Sequence, residues 1–172
     1  MTFLELAKER YSVRKFSEQR VEDEKLDLIL EAGRIAPTAK NLQSQRILVI
    51  RSEEGIKTLN EQTPCVYGAT TALLICADKK VSWINEQDGH SSVYEDASIV
   101  ATHMMLEAWE LGVGSCWVGV FHHEELKKAF NIPEDYEPCC ILMLGYPKEG
   151  CKPAGLHFKK VDKSETVFYD KF

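Results

Sequence analysis

Residues 93–112 read VYEDASIVATHMMLEAWELG, and this stretch decides the fold class. Its apolar residues recur at steps of three and four, as on an α-helix with one wide apolar face. They are Val93, Ala97, Val100, Met104, Ala108 and Leu111, with Ala101, Met105 and Trp109 beside them. The polar positions Asp96, His103, Glu107 and Glu110 are confined to a strip. We therefore predict a central, largely buried helix that ends at Gly112-Val113-Gly114.

Four apolar runs of strand character surround this helix in the sequence. They are Ile47–Ile50, Thr71–Ala77, Ser115–Phe121 and Cys139–Leu144. Shorter helices are expected over residues 2–9, 22–36, 53–62 and 122–130. Helices mixed with apolar strands favour an α+β or α/β layer over a bundle or a sandwich of sheets. With 172 residues, the chain is expected to form a single domain over 1–172.

Two polar segments stand out from this pattern. Residues 78–92 have the composition of a mobile loop. Loops of this kind often carry the residues that determine ligand specificity. In the tail, Thr166–Tyr169 is β-prone and is a candidate for pairing with a neighbouring chain.

The net charge and the cysteines limit the classes of function and the cellular locations that we expect. A net charge of −6 argues against nucleic acid or a membrane surface as partner. The six cysteines form no Cys-x-x-Cys pair, and most lie in apolar runs, so we expect reduced thiols and a cytoplasmic location. No leader pattern and no membrane-length apolar run is present, so neither export nor insertion is expected.

A cluster of positive charge follows the first helix, at Arg10-Tyr11-Ser12-Val13-Arg14. In an extended chain, Arg10, Ser12 and Arg14 lie on one face with successive members about 6 to 7 Å apart. Two guanidinium groups and a hydroxyl in a row suit an elongated anionic ligand. The alternative is that these arginines are solvated or bind the last helical carbonyls.

Polar residues without formal acids fill residues 36–45, which read APTAKNLQSQ. Such a loop can bind the polar edge of a heterocycle, although a loop rich in Thr, Asn and Gln is more often a plain connection. Both the dinucleotide glycine fingerprint and the P-loop are missing, so a phosphate would have to be held by side chains. His103 lacks neighbours that would complete a metal site and is interpreted as structural.

Four stretches in order resemble the FMN-dependent nitroreductase family. They are Arg10-x-Ser12-x-Arg14, Ala36-Pro37-Thr38-Ala39-x-Asn41-x-Gln43, Leu111–Gly119 (LGVGSCWVG) and Leu144-Gly145-Tyr146-Pro147. The resemblance spans nearly the whole chain. It implies an α+β sandwich with a central, mainly antiparallel sheet flanked by helices. It also implies an obligate homodimer with two FMN sites at the subunit interface.

The resemblance further implies roles for particular residues. Arg10 and Ser12 would hold the phosphate and ribityl end of FMN, and Arg14 would lie near N1 and the C2 carbonyl. Cofactor contacts from the partner chain would come from Pro37, Thr38, Ala39 and Asn41. The backbone near N5 would be that of Trp117, Val118 and Gly119. A basic anchor falls at Lys159 or Lys160, where lysine replaces the commoner arginine. No catalytic side chain and no metal are expected.

The activity implied is ping-pong electron transfer from NADH or NADPH, through FMN, to a small acceptor such as a nitroaromatic or a quinone. The choice of nicotinamide and acceptor is left open, with Trp83 and His90 as candidate specificity residues. One alternative takes Cys116 as a nucleophile with His122 or His123 as its base. Another is a non-enzymatic flavin-binding or redox-sensing protein whose 78–92 segment contacts a partner.

Overall fold

The structure is a computed structural model and describes residues 2–172. It contains five helices and four strands in these residues. The helices are α1 (Phe3–Glu9), α2 (Asp23–Arg34), α3 (Glu53–Gln62), α4 (Val93–Glu110) and α5 (His123–Ala129). The strands are β1 (Gln45–Ile50), β2 (Thr71–Asp78), β3 (Gly114–Val118) and β4 (Tyr136–Gly145). Short 3₁₀ turns occupy Ala39–Asn41, Gly155–Phe158 and Lys163–Glu165.

The strands form one antiparallel sheet in the order β1-β2-β4-β3. Strand β2 pairs with β4 from Thr71 to Asp78, with Leu73 opposite Leu142 and Leu74 opposite Ile141, and the register shifts between Ile75 and Cys76. Every residue of β2 is buried, as its uninterrupted apolar sequence predicts. The predicted α+β class and the mainly antiparallel sheet are therefore confirmed.

Each face of the sheet carries its own hydrophobic cluster. On one face, Leu73 and Leu142 pack with Val100 and Met104 of α4 and with Ile29 of α2. The opposite face packs with α3 and α5, and its members include Leu74, Ile141, Leu59, Leu126 and Val13. The sheet thus lies between two helical layers, which is the predicted sandwich.

Local signals set the helix ends. At α1 the Thr2 hydroxyl accepts the Glu5 N–H at 3.3 Å, and the Glu5 carboxylate accepts the Thr2 N–H at 2.7 Å. This reciprocal pair is a capping box, and it begins the helix expected over residues 2–9. Helix α4 begins at Val93 as predicted and ends at Glu110, just before the glycines.

Thr166–Tyr169 is an exposed segment after a 3₁₀ turn, and its pairing with a neighbouring chain stays a prediction. One local prediction was wrong. Strand β3 ends at Val118 instead of Phe121, because its pairing with β4 stops at Val118 and Ile141, although β4 itself extends to Tyr136. Asp96, on the predicted polar strip of α4, is 1% exposed.

Residues 78–92 form a hydrogen-bonded turn. Ile84 bridges to Ser91, and the Asn85 N–H donates to the His90 carbonyl at 2.8 Å. Within residues 2–172, no helix combines the length and the apolar character that crossing a bilayer requires.

Candidate functional site

The Arg10–Arg14 strip is an extended segment laid along the outer edge of β3. The Ser12 backbone bridges to Ser115, and the Val13 N–H donates to the Ser115 carbonyl at 2.9 Å. Val13 is fully buried beneath the strip. Because side chains alternate along extended chain, the burial of Val13 turns Ser12 and Arg14 outward. The strip is therefore anchored to the sheet by its backbone and by one buried side chain.

A cleft of about 460 Å³ opens beside this strip. Its lining includes Arg10, Ser12, Arg14 and, from the tail, Lys160. The lining contains no carboxylate. Among the described residues, neither arginine forms an ion pair with an acidic side chain. The cleft therefore concentrates positive charge in an acidic protein and suits an anion.

Aromatic contacts hold the tail against the strip. The Tyr11 ring lies 5.3 Å from the Trp109 ring of α4 and 6.4 Å from the His157 ring, both edge to face. Burial raises the pKa of the Tyr11 hydroxyl, with a further contribution from Cys151. The sequence reasoning missed Tyr11 and His157, because nothing local indicated that the tail would return to α4.

The structure distinguishes the two candidate lysines. Lys160 lines the cleft, and its ammonium donates to the His157 carbonyl at 2.9 Å. Lys159 is exposed and does not line the cleft. The tail thus brings one of the two predicted lysines to the arginine strip.

Trp117, Val118 and Gly119 lie at the end of β3 and just beyond it. The Trp117 side chain packs against the cluster on the α4 face, whereas Val118 is buried on the other face. Gly119 is exposed, and a methyl group built on its α-carbon would meet no atom within 4 Å. These residues do not line the arginine cleft, but open space beside Gly119 leaves room for a ligand at its backbone.

The 36–44 loop lies at the other end of α4. The Ala39 N–H donates to the Asp96 carboxylate at 2.8 Å, in the first turn of that helix. Tyr11 of the strip contacts Trp109 near the helix end. Trp109 lies thirteen positions after Asp96, about 20 Å along the helix at a rise of about 1.5 Å per residue. Within one chain, Pro37, Thr38, Ala39 and Asn41 are therefore not brought to the arginine cleft.

Cys116 is buried and does not have the surroundings of a nucleophile. It is 2% exposed, and burial raises the pKa of its thiol despite a lowering contribution from Arg14. The His123 Nδ1 contacts the Glu137 carboxylate at 3.1 Å, and its ring lies against Phe121. His122 is exposed at the start of α5. The structure therefore shows a packed thiol and a histidine engaged elsewhere.

A second cleft, of about 480 Å³, lies between α3 and residues 66–70. Its charged lining is mixed, with Glu18 and Glu53 beside Arg20. Its other arginine, Arg51, is paired with Asp23 and donates to the Val21 carbonyl at 3.0 Å. This cleft offers less unpaired positive charge than the one beside Arg10.

Known proteins match the chain across these features. The profile of the nitroreductase family matches residues 7–64 and 62–146, which include the strip, the 36–44 loop and β3. A nitroreductase family protein from Clostridium difficile 630 has a TM-score of 0.95 and 42% identity, covering 100% of both chains. An FMN-dependent nitroreductase from Clostridium difficile R20291 has a TM-score of 0.80 and 30% identity, covering 99% of this chain and 100% of that one. An NAD(P)H-dependent FMN reductase of Bacillus subtilis is 27% identical over 90% of this chain and 70% of that protein.

Proposed function

This chain belongs to the nitroreductase family, and we propose that it is an FMN-dependent oxidoreductase that transfers electrons from NADH or NADPH to a small acceptor such as a nitroaromatic or a quinone. The observation that carries this proposal is the cleft in which Arg10, Arg14 and Lys160 meet around Ser12. The similarity to an FMN-dependent nitroreductase and to an NAD(P)H-dependent FMN reductase supports the choice of cofactor and reductant.

The residues of the cleft fit FMN chemically. A guanidinium from Arg10 and the Lys160 ammonium can bind the phosphate, and the Ser12 hydroxyl can bind the ribityl chain. Bound FMN would supply hydride acceptance and electron transfer, which no side chain provides. Arg14, near N1 and the C2 carbonyl, would stabilise the negative charge that reduction adds to the ring. Trp117, Val118 and Gly119 would offer backbone near N5.

We further propose that the active form is a homodimer. The arginine cleft and the 36–44 loop lie at opposite ends of α4, which supports a flavin site that combines the cleft of one protomer with the loop of the other. The tail supports the same proposal, since Phe158, Phe168, Tyr169 and Phe172 are exposed and expose a large apolar area unless a second copy covers them. We also propose that residues 1–172 act as one domain, because both hydrophobic clusters share one sheet. A cytoplasmic location stays a prediction.

Spectroscopy of the purified protein tests the cofactor and the reaction. We expect a yellow protein with an FMN absorption spectrum that bleaches on anaerobic addition of NADH or NADPH and recovers when a quinone is added. Failure to bind FMN would refute the proposal. Bound FMN that neither nicotinamide reduces would instead favour the flavin-binding or redox-sensing alternative.

Sedimentation velocity tests the dimer. The full chain should sediment as a dimer at micromolar concentration, and deletion of residues 162–172 should increase the monomer fraction. A full chain that is monomeric while it binds FMN and turns over would contradict the two-protomer site.

A further inference from the structure

A buried carboxylate at the start of α4 collects hydrogen bonds from two separate segments. Asp96 is 1% exposed. One oxygen, Oδ1, accepts the Ala39 N–H at 2.8 Å, and Oδ2 accepts the Ser92 hydroxyl at 2.7 Å and the Ser44 hydroxyl at 3.4 Å. A buried carboxylate is costly unless it is hydrogen-bonded, and the first turn of an 18-residue helix favours negative charge. These donors explain how the carboxylate is tolerated there.

The 36–44 loop needs such an anchor because its backbone is strained. Lys40, Asn41 and Gln43 have φ values of 50°, 54° and 52°, in the left-handed region that residues with side chains rarely adopt. Two side-chain bonds close the loop on itself, from the Gln43 N–H to the Thr38 hydroxyl at 3.0 Å and from the Gln43 side-chain amide to the Asn41 carbonyl at 3.4 Å. Asp96 binds the loop on both sides of the strained residues, at Ala39 and at Ser44.

The same carboxylate also connects the loop to the 78–92 segment. Ser92, which donates to Asp96, also donates its N–H to the Trp83 carbonyl at 2.9 Å. On the outer side, the Lys40 ammonium lies 5.9 Å from the centre of the Trp83 ring. The loop and the segment that carries Trp83 are therefore held together through α4.

We propose that Asp96 is a positioning residue of the flavin site. By fixing both ends of the strained loop, it holds Pro37, Thr38, Ala39 and Asn41 in the conformation that contacts FMN bound by the other protomer. This inference rests on the proposed function, which assigns the loop to the flavin. Asp96 itself touches no cofactor; it acts through the Ala39 N–H and the Ser44 hydroxyl.

The test compares variants that remove different donors or the shared acceptor. Asp96→Ala removes all three bonds, and we expect FMN affinity, measured by flavin fluorescence, to fall about 10- to 100-fold. Ser92→Ala is the matched control, since it removes one bond to the same carboxylate but leaves both loop contacts. Its FMN affinity should stay within about twofold of the unmodified protein. Asp96→Asn, which keeps an oxygen for the Ala39 N–H, should recover most of the affinity.

Hydrogen exchange of the flavin-free protein provides a readout independent of FMN. Amides of residues 38–44 should exchange faster in Asp96→Ala and remain protected in Ser92→Ala. Unchanged exchange and unchanged affinity in a folded Asp96→Ala protein would overturn the proposal. Equal loss of affinity in Asp96→Ala and Ser92→Ala, in step with stability, would also overturn it. Should Asp96→Ala not fold, Ser44→Ala carries the same comparison. If the unmodified protein binds no FMN, the proposed function fails, while the exchange data still decide whether Asp96 orders the loop.

Discussion

Arg10 and Arg14 stay accessible because another residue, Val13, anchors the strip to the sheet. Val13 fills the core, and the Ser115 carbonyl holds its backbone, so the arginines are not needed for packing. Neither guanidinium is paired with a carboxylate among residues 2–172. Their removal should therefore weaken ligand binding much more than folding.

Replacing Arg10 or Arg14 by Ala should weaken FMN binding by about 1.5 to 3 kcal/mol, the scale of a charged hydrogen bond. In a fluorescence titration this corresponds to about a 10- to 150-fold higher Kd. The urea unfolding midpoint should change little, since both side chains lie at the surface of the cleft. Unchanged Kd in both variants would refute the assignment of the strip.

The two tail lysines provide a matched pair of variants. Lys160→Ala should raise the Kd for FMN and make it less dependent on salt, because a phosphate contact is lost. Lys159→Ala removes the same charge one residue away, outside the cleft, and should leave the Kd within about twofold. Equal effects from both substitutions would mean that only the net charge of the tail matters.

Buried thiols predict how stability depends on pH in the alkaline range. Burial raises the pKa of Cys76 from 9.0 to about 12. The folded state thus favours the protonated thiol. The stabilisation that this thiol contributes is complete below the pKa that it has in the unfolded chain. Between about pH 9 and 12 the unfolded thiol ionises while the folded one does not, so the free energy of unfolding should fall, by at most about 1.4 kcal/mol per pH unit from this thiol.

Urea unfolding from pH 8 to 10.5 measures this slope. Other alkaline groups contribute to the total, so the informative quantity is the difference between the unmodified protein and Cys76→Ala. The variant should be less stable at pH 8, because it loses buried volume, and should have a shallower slope above pH 9. Parallel curves for the two proteins would contradict the raised pKa.

At the scale of elements, the approach of the strip to β3 depends on Gly114. A methyl group on its α-carbon would lie 2.7 Å from a Val13 methyl group and 3.1 Å from the Gly145 carbonyl oxygen. Gly114→Ala should therefore push the strip outward, lowering the free energy of unfolding by about 1 to 3 kcal/mol and weakening FMN binding. Urea unfolding and flavin titration on the same variant measure both effects.

A second substitution identifies which neighbour of Gly114 causes the expected loss of stability. If the clash with Val13 is responsible, adding Val13→Ala to Gly114→Ala should cost less than the sum of the two single changes. If the losses in the free energy of unfolding are strictly additive, the contact with the Gly145 carbonyl oxygen, and not the contact with Val13, causes the effect of Gly114→Ala.

Elements with a strong local periodicity of apolar residues were predictable from the sequence. Features formed by contacts between residues far apart in the sequence were not. The steps of three and four from Val93 onward specify α4 regardless of what it packs against, and the alternation in Arg10–Arg14 required only extended backbone. Asp96 has no such signal, because its burial depends on the Ala39 and Ser44 donors, more than fifty residues earlier in the chain. The choice between Lys159 and Lys160 likewise depended on the path of the tail past Tyr11 and His157.

At the scale of the whole molecule, the length of α4 supports the proposal that two chains share each flavin site. One end of the helix holds the loop through Asp96, and the other holds the strip through Trp109. In a two-fold symmetric dimer, each site would combine the strip of one protomer with the loop of the other. A substitution in the strip of one protomer and a substitution in the loop of the other should then fall in the same site and leave the second site unmodified.

Mixed dimers test this arrangement directly. One chain carries Arg10→Ala, the other carries Asp96→Ala, and different affinity tags allow purification of the dimer that contains one of each. If the loop acts across the interface, both changes fall in the same site and the second site is unmodified. The mixed dimer should therefore bind one FMN per dimer with the affinity of the unmodified protein, whereas a dimer of two unmodified, differently tagged chains should bind two. If each loop instead serves the cleft of its own chain, every site carries one change, and a titration that finds no site of unmodified affinity would rule out the shared site.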